Sequence, residues 1–125
     1  HADDAARAAR GIMRSAAIGR RGEELARAAG LVPAEAVKKS IISINKTAKR
    51  RVPDGLVEST RTIYEVKNTA ALGLTKQLRD YFDFAREYNY TVVLIVRNGV
   101  AMQPELEKLL AVYKKAGLVS LKFLP

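Results

Sequence analysis

Cysteine is absent from this 125-residue chain, and histidine occurs once, as His1. Without thiols there is no disulfide scaffold, no thiolate zinc site and no cysteine nucleophile. An imidazole at the chain end, where fraying is expected, removes the two-histidine ribonuclease, the histidine-metal nuclease and the Ser-His-Asp hydrolase, each of which needs an internal ring. No apolar run approaches the ~20 residues that span a bilayer. No secretory signal opens the chain, so an exported activity is expected to belong to a larger polypeptide. Basic residues are not interleaved with aromatics, so a stacking platform for single-stranded bases is not indicated.

Positive charge is present in excess, and it is uneven. The net charge is +9; residues 1–52 hold twelve Lys/Arg against five Asp/Glu, and residues 53–125 hold ten against eight. Such a surface suits a polyanion, although a basic face kept for solubility or for an acidic protein explains charge alone equally well. The length implies one domain with a real core.

Two acidic segments stand against this basic background. Pro53-Asp54 is followed, after ten intervening residues, by Glu65-Val66-Lys67. Side chains alternate along a strand, so Glu65 and Lys67 share a face. With Arg51 to Val57 as a partner strand and Glu58-Ser59-Thr60-Arg61 as the turn, Asp54 falls opposite Glu65. Two carboxylates there form a hard oxygen site suited to Mg²⁺ or Mn²⁺. Lys67 beside them can orient an attacking water and stabilise developing charge, which points to phosphodiester hydrolysis. A charged alternation on a solvated strand is the competing reading for Glu-x-Lys taken alone.

The remaining chain reads as alternating helices and strands. Ala2 to Ala17 is an alanine- and arginine-rich helix, with Asp3 and Asp4 favouring its start. Gly19 to Gly22 is expected to interrupt it, and a short second helix to run from Glu23 to Ala29 and stop at Gly30. Pro33 opens a helical turn through Lys39. Ile41 to Ile44 is a short strand, Lys46 to Arg50 a basic turn, and Thr62 to Lys67 the third strand. Leu78, Tyr81, Phe82 and Ala85 recur at helical spacing in a helix from about Thr75 to Tyr88. Tyr90 to Val96 is a buried strand, Asn98-Gly99 a turn, Pro104 to Lys115 a helix and Leu118 to Leu124 a last strand. The order implies an α/β fold on one mixed sheet flanked by helices. Residues 1–18 read as a helical arm or linker remnant, and residues 19–125 as one α/β domain.

This order, with Pro53-Asp54 and Glu65-Val66-Lys67, resembles the PD-(D/E)XK phosphodiesterases, whose restriction-endonuclease-like core runs αβββαβ. Gly19-Arg20-Arg21-Gly22-Glu23 is similar to the Gly-x-x-Gly-Glu element of resolvase-like members, and Gln77-Leu78-Arg79-Asp80-Tyr81 resembles the superfamily's Gln-x-x-x-Tyr motif on the helix after the lysine strand. At i and i+4, Gln77 and Tyr81 share a helix face. Arg51-Val52-Pro53-Asp54-Gly55, Glu65-Val66-Lys67-Asn68 and Thr75 to Tyr81 resemble the C-terminal toxin domains of bacterial contact-dependent and other polymorphic toxins, over about residues 19 to 98.

The resemblance implies roles. Asp54, Glu65, the Val66 carbonyl and Glu23 would hold a divalent metal, Mg²⁺ or Mn²⁺ with Zn²⁺ as an option; Glu24 can replace Glu23. Lys67 would position the water, Gln77 the water or phosphate, and Tyr81 the backbone, unless Tyr81 is only a core aromatic. Arg20, Arg21, Lys49, Arg50, Arg51 and Thr75 are candidate phosphate contacts; a solvated turn explains Lys49 to Arg51 nearly as well. The implied function is a metal-dependent endonuclease, the DNase domain of a secreted competition toxin acting in the target-cell cytoplasm and held in check by an immunity protein. An RNA- or tRNA-cleaving toxin, a resolvase or repair nuclease, and a non-catalytic nucleic-acid-binding module are the alternatives.

Overall fold

In the computed structural model, residues 2–125 are described; His1, expected to be frayed, lies outside them. The chain runs α1 (Ala2–Ala28), β1 (Ile41–Ile42), β2 (Arg50–Arg51), β3 (Gly55–Val57), β4 (Thr62–Lys67), β5 (Ala71–Leu72), α2 (Lys76–Tyr88), β6 (Thr91–Val96), β7 (Ala101–Met102), α3 (Pro104–Lys115) and β8 (Val119–Phe123). The main sheet has the order β3-β4-β6-β8. β3 is antiparallel to β4, whereas β4, β6 and β8 run parallel, so the sheet is mixed. The expected α/β architecture is the one observed.

Both faces of the sheet are covered. Ile63 of β4 and Val92, Leu94 and Val96 of β6 join Leu78, Tyr81, Phe82 and Ala85 of α2 and Leu106, Leu110 and Tyr113 of α3 in one core. Val66 and Ile95, on the opposite face, join Ala26 of α1 with Val32 and Ala36 in a second. β6 therefore reads as a nearly continuous apolar run, Thr91-Val-Val-Leu-Ile-Val96, as a central parallel strand must. The parallel connections β4-α2-β6 and β6-α3-β8 place α2 and α3 on one layer and leave the other to α1.

Three local expectations are corrected. α1 is continuous through Gly19 and Gly22, not interrupted. Two glycines cost a helix about 1 kcal/mol each, which alanine- and arginine-rich flanks can absorb. Gly22 has a packing reason as well: a Cβ there would lie 2.5 Å from Asn68 Cβ, so the helix reaches the end of β4 only because that position is bare. The segment after Pro33 is a turn rather than a helix, and Val37 instead exchanges both backbone hydrogen bonds with Leu56 of β3 (3.1 and 2.8 Å). Finally, Ile41–Ile42 does not join the main sheet. It pairs with Arg50–Arg51 in a small antiparallel ribbon, so the proposed Arg51 to Val57 strand is split and only Gly55–Val57 lies beside β4. Among the described residues, no helix is long and apolar enough to cross a membrane.

Candidate active site

Asp54 meets Glu65 because of the hairpin register. Gly55 pairs with Tyr64 and Val57 with Thr62, across the turn at Glu58 to Arg61, so the next position outward sets Asp54 against Glu65. The Asp54 N–H donates to Glu65 Oε1 (3.2 Å), and the Val66 N–H donates to Asp54 Oδ2 (2.8 Å). Ile63, Glu65 and Lys67 point to the face covered by α2, where a carboxylate is almost wholly removed from water.

Lys67 bridges the strand to α2. Its Nζ lies 3.2 Å from Glu65 Oε2 and donates to Gln77 Oε1 at 2.5 Å. Gln77 is presented in the first turn of α2, whose N-cap Thr75 accepts from the Leu78 N–H (3.1 Å). One turn on, Tyr81 is fully buried, and its hydroxyl has no hydrogen-bond partner among the described residues. An orphaned buried hydroxyl costs about 1–3 kcal/mol, which places it among the unpaid features of the site.

The carboxylates are electrostatically strained. Burial, followed by the neighbouring Asp54 charge, pushes the Glu65 carboxyl up to about 8, against the opposing pull of Lys67. Burial also raises Asp54, with Glu23 adding to the shift and the Val66 N–H opposing it. Glu23 and Asp54 share the Lys38 ammonium, whose Nζ lies 2.8 Å from Glu23 Oε2 and 3.8 Å from Asp54 Oδ1. Burial disfavours the Glu23 carboxylate, yet Lys38 and Asp54 together hold its pKa below the ordinary value. Burial lifts the Tyr81 phenol well above its usual range, with the Glu65 and Asp54 charges adding to it.

Among the described residues no three His, Cys, Asp or Glu side chains form a complete metal cage. The donor set nevertheless has the chemistry of a hard divalent ion: two adjoining carboxylates that repel each other, a third carboxylate beside them and no soft ligand.

Asp54, Glu65, Lys67, Gln77 and Tyr81 thus converge, with Glu23 at their border. The Val66 backbone meets Asp54 through its N–H. The basic candidates are dispersed. Arg20 and Arg21 are exposed on α1, Arg21 facing Glu24 at 3.7 Å; Lys49 and Arg50 are exposed on the ribbon, where Arg50 Nε donates to Ser40 Oγ (2.7 Å). Arg51 is turned inward: its Nε donates to the fully buried Asp80 (2.8 Å) and an Nη to Thr47 Oγ1 (2.9 Å). That residue is committed to the structure rather than displayed to a phosphate.

Sequence reasoning passed over several residues that build the site. Arg27 of α1 donates to the carbonyls of Ala36 (3.1 Å) and Asp54 (3.2 Å), tying helix, loop and carboxylate strand together. Asp80 accepts from Ser43 Oγ (2.6 Å), the Asn45 N–H (3.1 Å), Thr47 Oγ1 (2.9 Å) and Arg51, clamping the ribbon to α2. An aspartate one position before Tyr81 in an apolar helix face was the available signal. Lys38 carried none, because its partners are distant in sequence.

A four-stranded mixed sheet with a carboxylate pair and a lysine at the edge where β3 meets β4, faced by a Gln-x-x-x-Tyr helix, defines a nuclease of the restriction-endonuclease-like, PD-(D/E)XK class. Residues 19–106, most of the chain, match the family described as restriction endonuclease fold toxin 7, and the chain belongs to that family. No curated protein and no solved structure matches it. The protein is therefore a nuclease toxin domain, with nucleic acid as its substrate class.

Proposed function

We propose that this domain is a metal-dependent endonuclease that cuts DNA, carried at the end of a larger secreted toxin and acting in the cytoplasm of a competing cell. Residues 1–18 would be the arm or linker remnant joining it to that larger chain. The single observation that carries the catalytic reading is the Lys67 ammonium held between Glu65 and Gln77 beside Asp54. Basic residues 1–52 supply the attraction for a polyphosphate, and the wider fold class supplies the preference for DNA.

Asp54, Glu65, the Val66 carbonyl and Glu23 would hold Mg²⁺ or Mn²⁺, with Zn²⁺ an option. Such an ion supplies Lewis acidity toward a phosphoryl oxygen and acidifies a bound water. The chain's own residues do the rest. Lys67 donates to the water and orients it, and its charge offsets the negative charge that builds on the phosphate. Gln77 Oε1 fixes the Lys67 head group, and its amide N–H₂ is the donor it would turn to water or phosphate. The Tyr81 hydroxyl provides a further donor at the carboxylate side. Arg20, Arg21, Lys49 and Arg50 are exposed to grip flanking phosphates, and the Thr75 cap marks the α2 N-terminus, whose dipole favours an anion. An immunity protein would cover this face; charge complementarity predicts that it is acidic. Neutralisation insensitive to salt and to basic-face mutations would count against that.

The test is cleavage of plasmid DNA and total tRNA side by side, with Mg²⁺, Mn²⁺, Zn²⁺ or EDTA, by wild type and Lys67→Ala. Metal-dependent cutting of DNA that falls by at least ~10²-fold in the variant is expected. Cutting of tRNA alone would replace the substrate. Equal binding with no cutting under any metal would leave a nucleic-acid-binding role instead.

A further inference from the structure

Lys38 lies outside every motif in the sequence, yet its ammonium sits at the carboxylate cluster. Nζ is 2.8 Å from Glu23 Oε2 and 3.8 Å from Asp54 Oδ1. Its backbone is held there by the exchange of hydrogen bonds between the preceding Val37 and Leu56. Its side chain is 56% exposed, so the head group can swing into water without disturbing a core. The next residue, Lys39, pairs with Glu58 on the far side, away from the cluster.

We propose that the Lys38 ammonium is the internal counter-cation of the site, lying between Glu23 and Asp54 in the metal-free protein and displaced when a divalent ion binds. The inference rests on the metal-dependent reading above. It follows from geometry and charge. Three carboxylates adjoin, but only Glu65 has Lys67 as a close cation; Glu23 and Asp54 share Lys38. An ion coordinated by Asp54 and Glu65 would place a double positive charge next to Nζ, and repulsion at that distance drives the more exposed and flexible partner away. Glu23, released from Lys38, then becomes available as a further oxygen donor. Lys38 is in this sense a positioning residue that sets how readily the site loads.

The experiment is Mn²⁺ titration calorimetry on metal-free wild type, Lys38→Met and Lys39→Met at low salt, with thermal denaturation of each. Lys38→Met is expected to bind Mn²⁺ about five- to tenfold more tightly, to melt lower than wild type without metal and to match it with metal. Lys39→Met should change affinity less than about twofold, since it removes the same charge elsewhere. Unchanged or weaker Mn²⁺ binding by Lys38→Met would overturn the proposal, as would an equal gain in Lys39→Met. Absence of Mn²⁺ binding by both wild type and Lys38→Met would overturn the metal-dependent reading and this inference with it. Should Lys38→Met not fold, the ¹³Cε resonance of Lys38 in wild type provides the same decision: a shift on adding Mg²⁺ supports displacement, and no shift in a protein that binds Mg²⁺ refutes it.

Discussion

Glu65→Gln in EDTA asks whether the site strains the empty protein. Glu65 is 3% exposed, and its carboxyl is raised from 4.5 to about 8 by burial and by Asp54. Between those values the native state binds a proton that the unfolded chain has released, so stability falls as pH rises from about 4.5 to about 8 and levels off above. The full shift sets a ceiling of about 5 kcal/mol. Water entry and local relaxation reduce it, and a loss of about 2–3 kcal/mol between pH 5 and pH 9 is expected. Glutamine keeps the shape and an oxygen to accept from the Asp54 N–H, but turns an N–H₂ toward Lys67, costing about 1 kcal/mol. The variant should therefore be slightly less stable than wild type at pH 5, less dependent on pH through this window, with the buried Asp54 supplying the remainder, and more stable by about 1–2 kcal/mol at pH 9. Urea unfolding at both pH values measures this, and metal-dependent cleavage should be lost in the same variant. Parallel stability curves for the two proteins, or a constant deficit in the variant at every pH, would refute the reasoning.

Asp80→Asn breaks a buried pair and should cost about 2–4 kcal/mol in urea unfolding at pH 7. Burial opposes the Asp80 charge, but Arg51, Ser43, Thr47 and Asn45 outweigh it and hold the carboxyl down to about 2, so wild type keeps this contribution above pH ~4 and loses it toward pH 2, while the variant lacks that acid limb. Gly19→Ala, at an open position of α1, should stabilise by about 0.5–1 kcal/mol, whereas Gly22→Ala should destabilise by about 1–3 kcal/mol despite the same helix-propensity gain, because its Cβ meets Asn68; thermal melts of both separate propensity from packing. Tyr81→Phe removes an orphaned hydroxyl and should raise stability by up to about 1 kcal/mol; a simultaneous fall in cleavage of about tenfold marks the hydroxyl as a working donor, and unchanged cleavage marks Tyr81 as a core aromatic.

Periodicity and end signals made the regular elements legible. The α2 stripe Leu78-Tyr81-Phe82-Ala85, the Pro104 start of α3 and the apolar run of β6 each depend on contacts within one segment, so composition and spacing carry them, whereas the N-cap role of Thr75 came from the structure. The Asp54–Glu65 juxtaposition was legible for the same reason: a four-residue turn between two short strands sets the register by counting.

Tertiary structure decided what local preference left balanced. Glycines at 19 and 22 argued for a break, but docking of α1 beside Asn68 requires the second of them and keeps one helix whole. Ile41–Ile42 has strand character, yet Asp80 clamps the following loop to α2 and turns that strand into a ribbon with Arg50–Arg51, drawing Arg51 inward. The engagement of Glu23 by Lys38, and the charge state of Glu65, arise only where helix, loop and sheet converge on one low-dielectric edge. The chain's own order of residues thus determined the elements and the carboxylate-lysine motif. Which cations those carboxylates meet was decided by packing, because burial and through-space charge act between residues that the sequence keeps far apart.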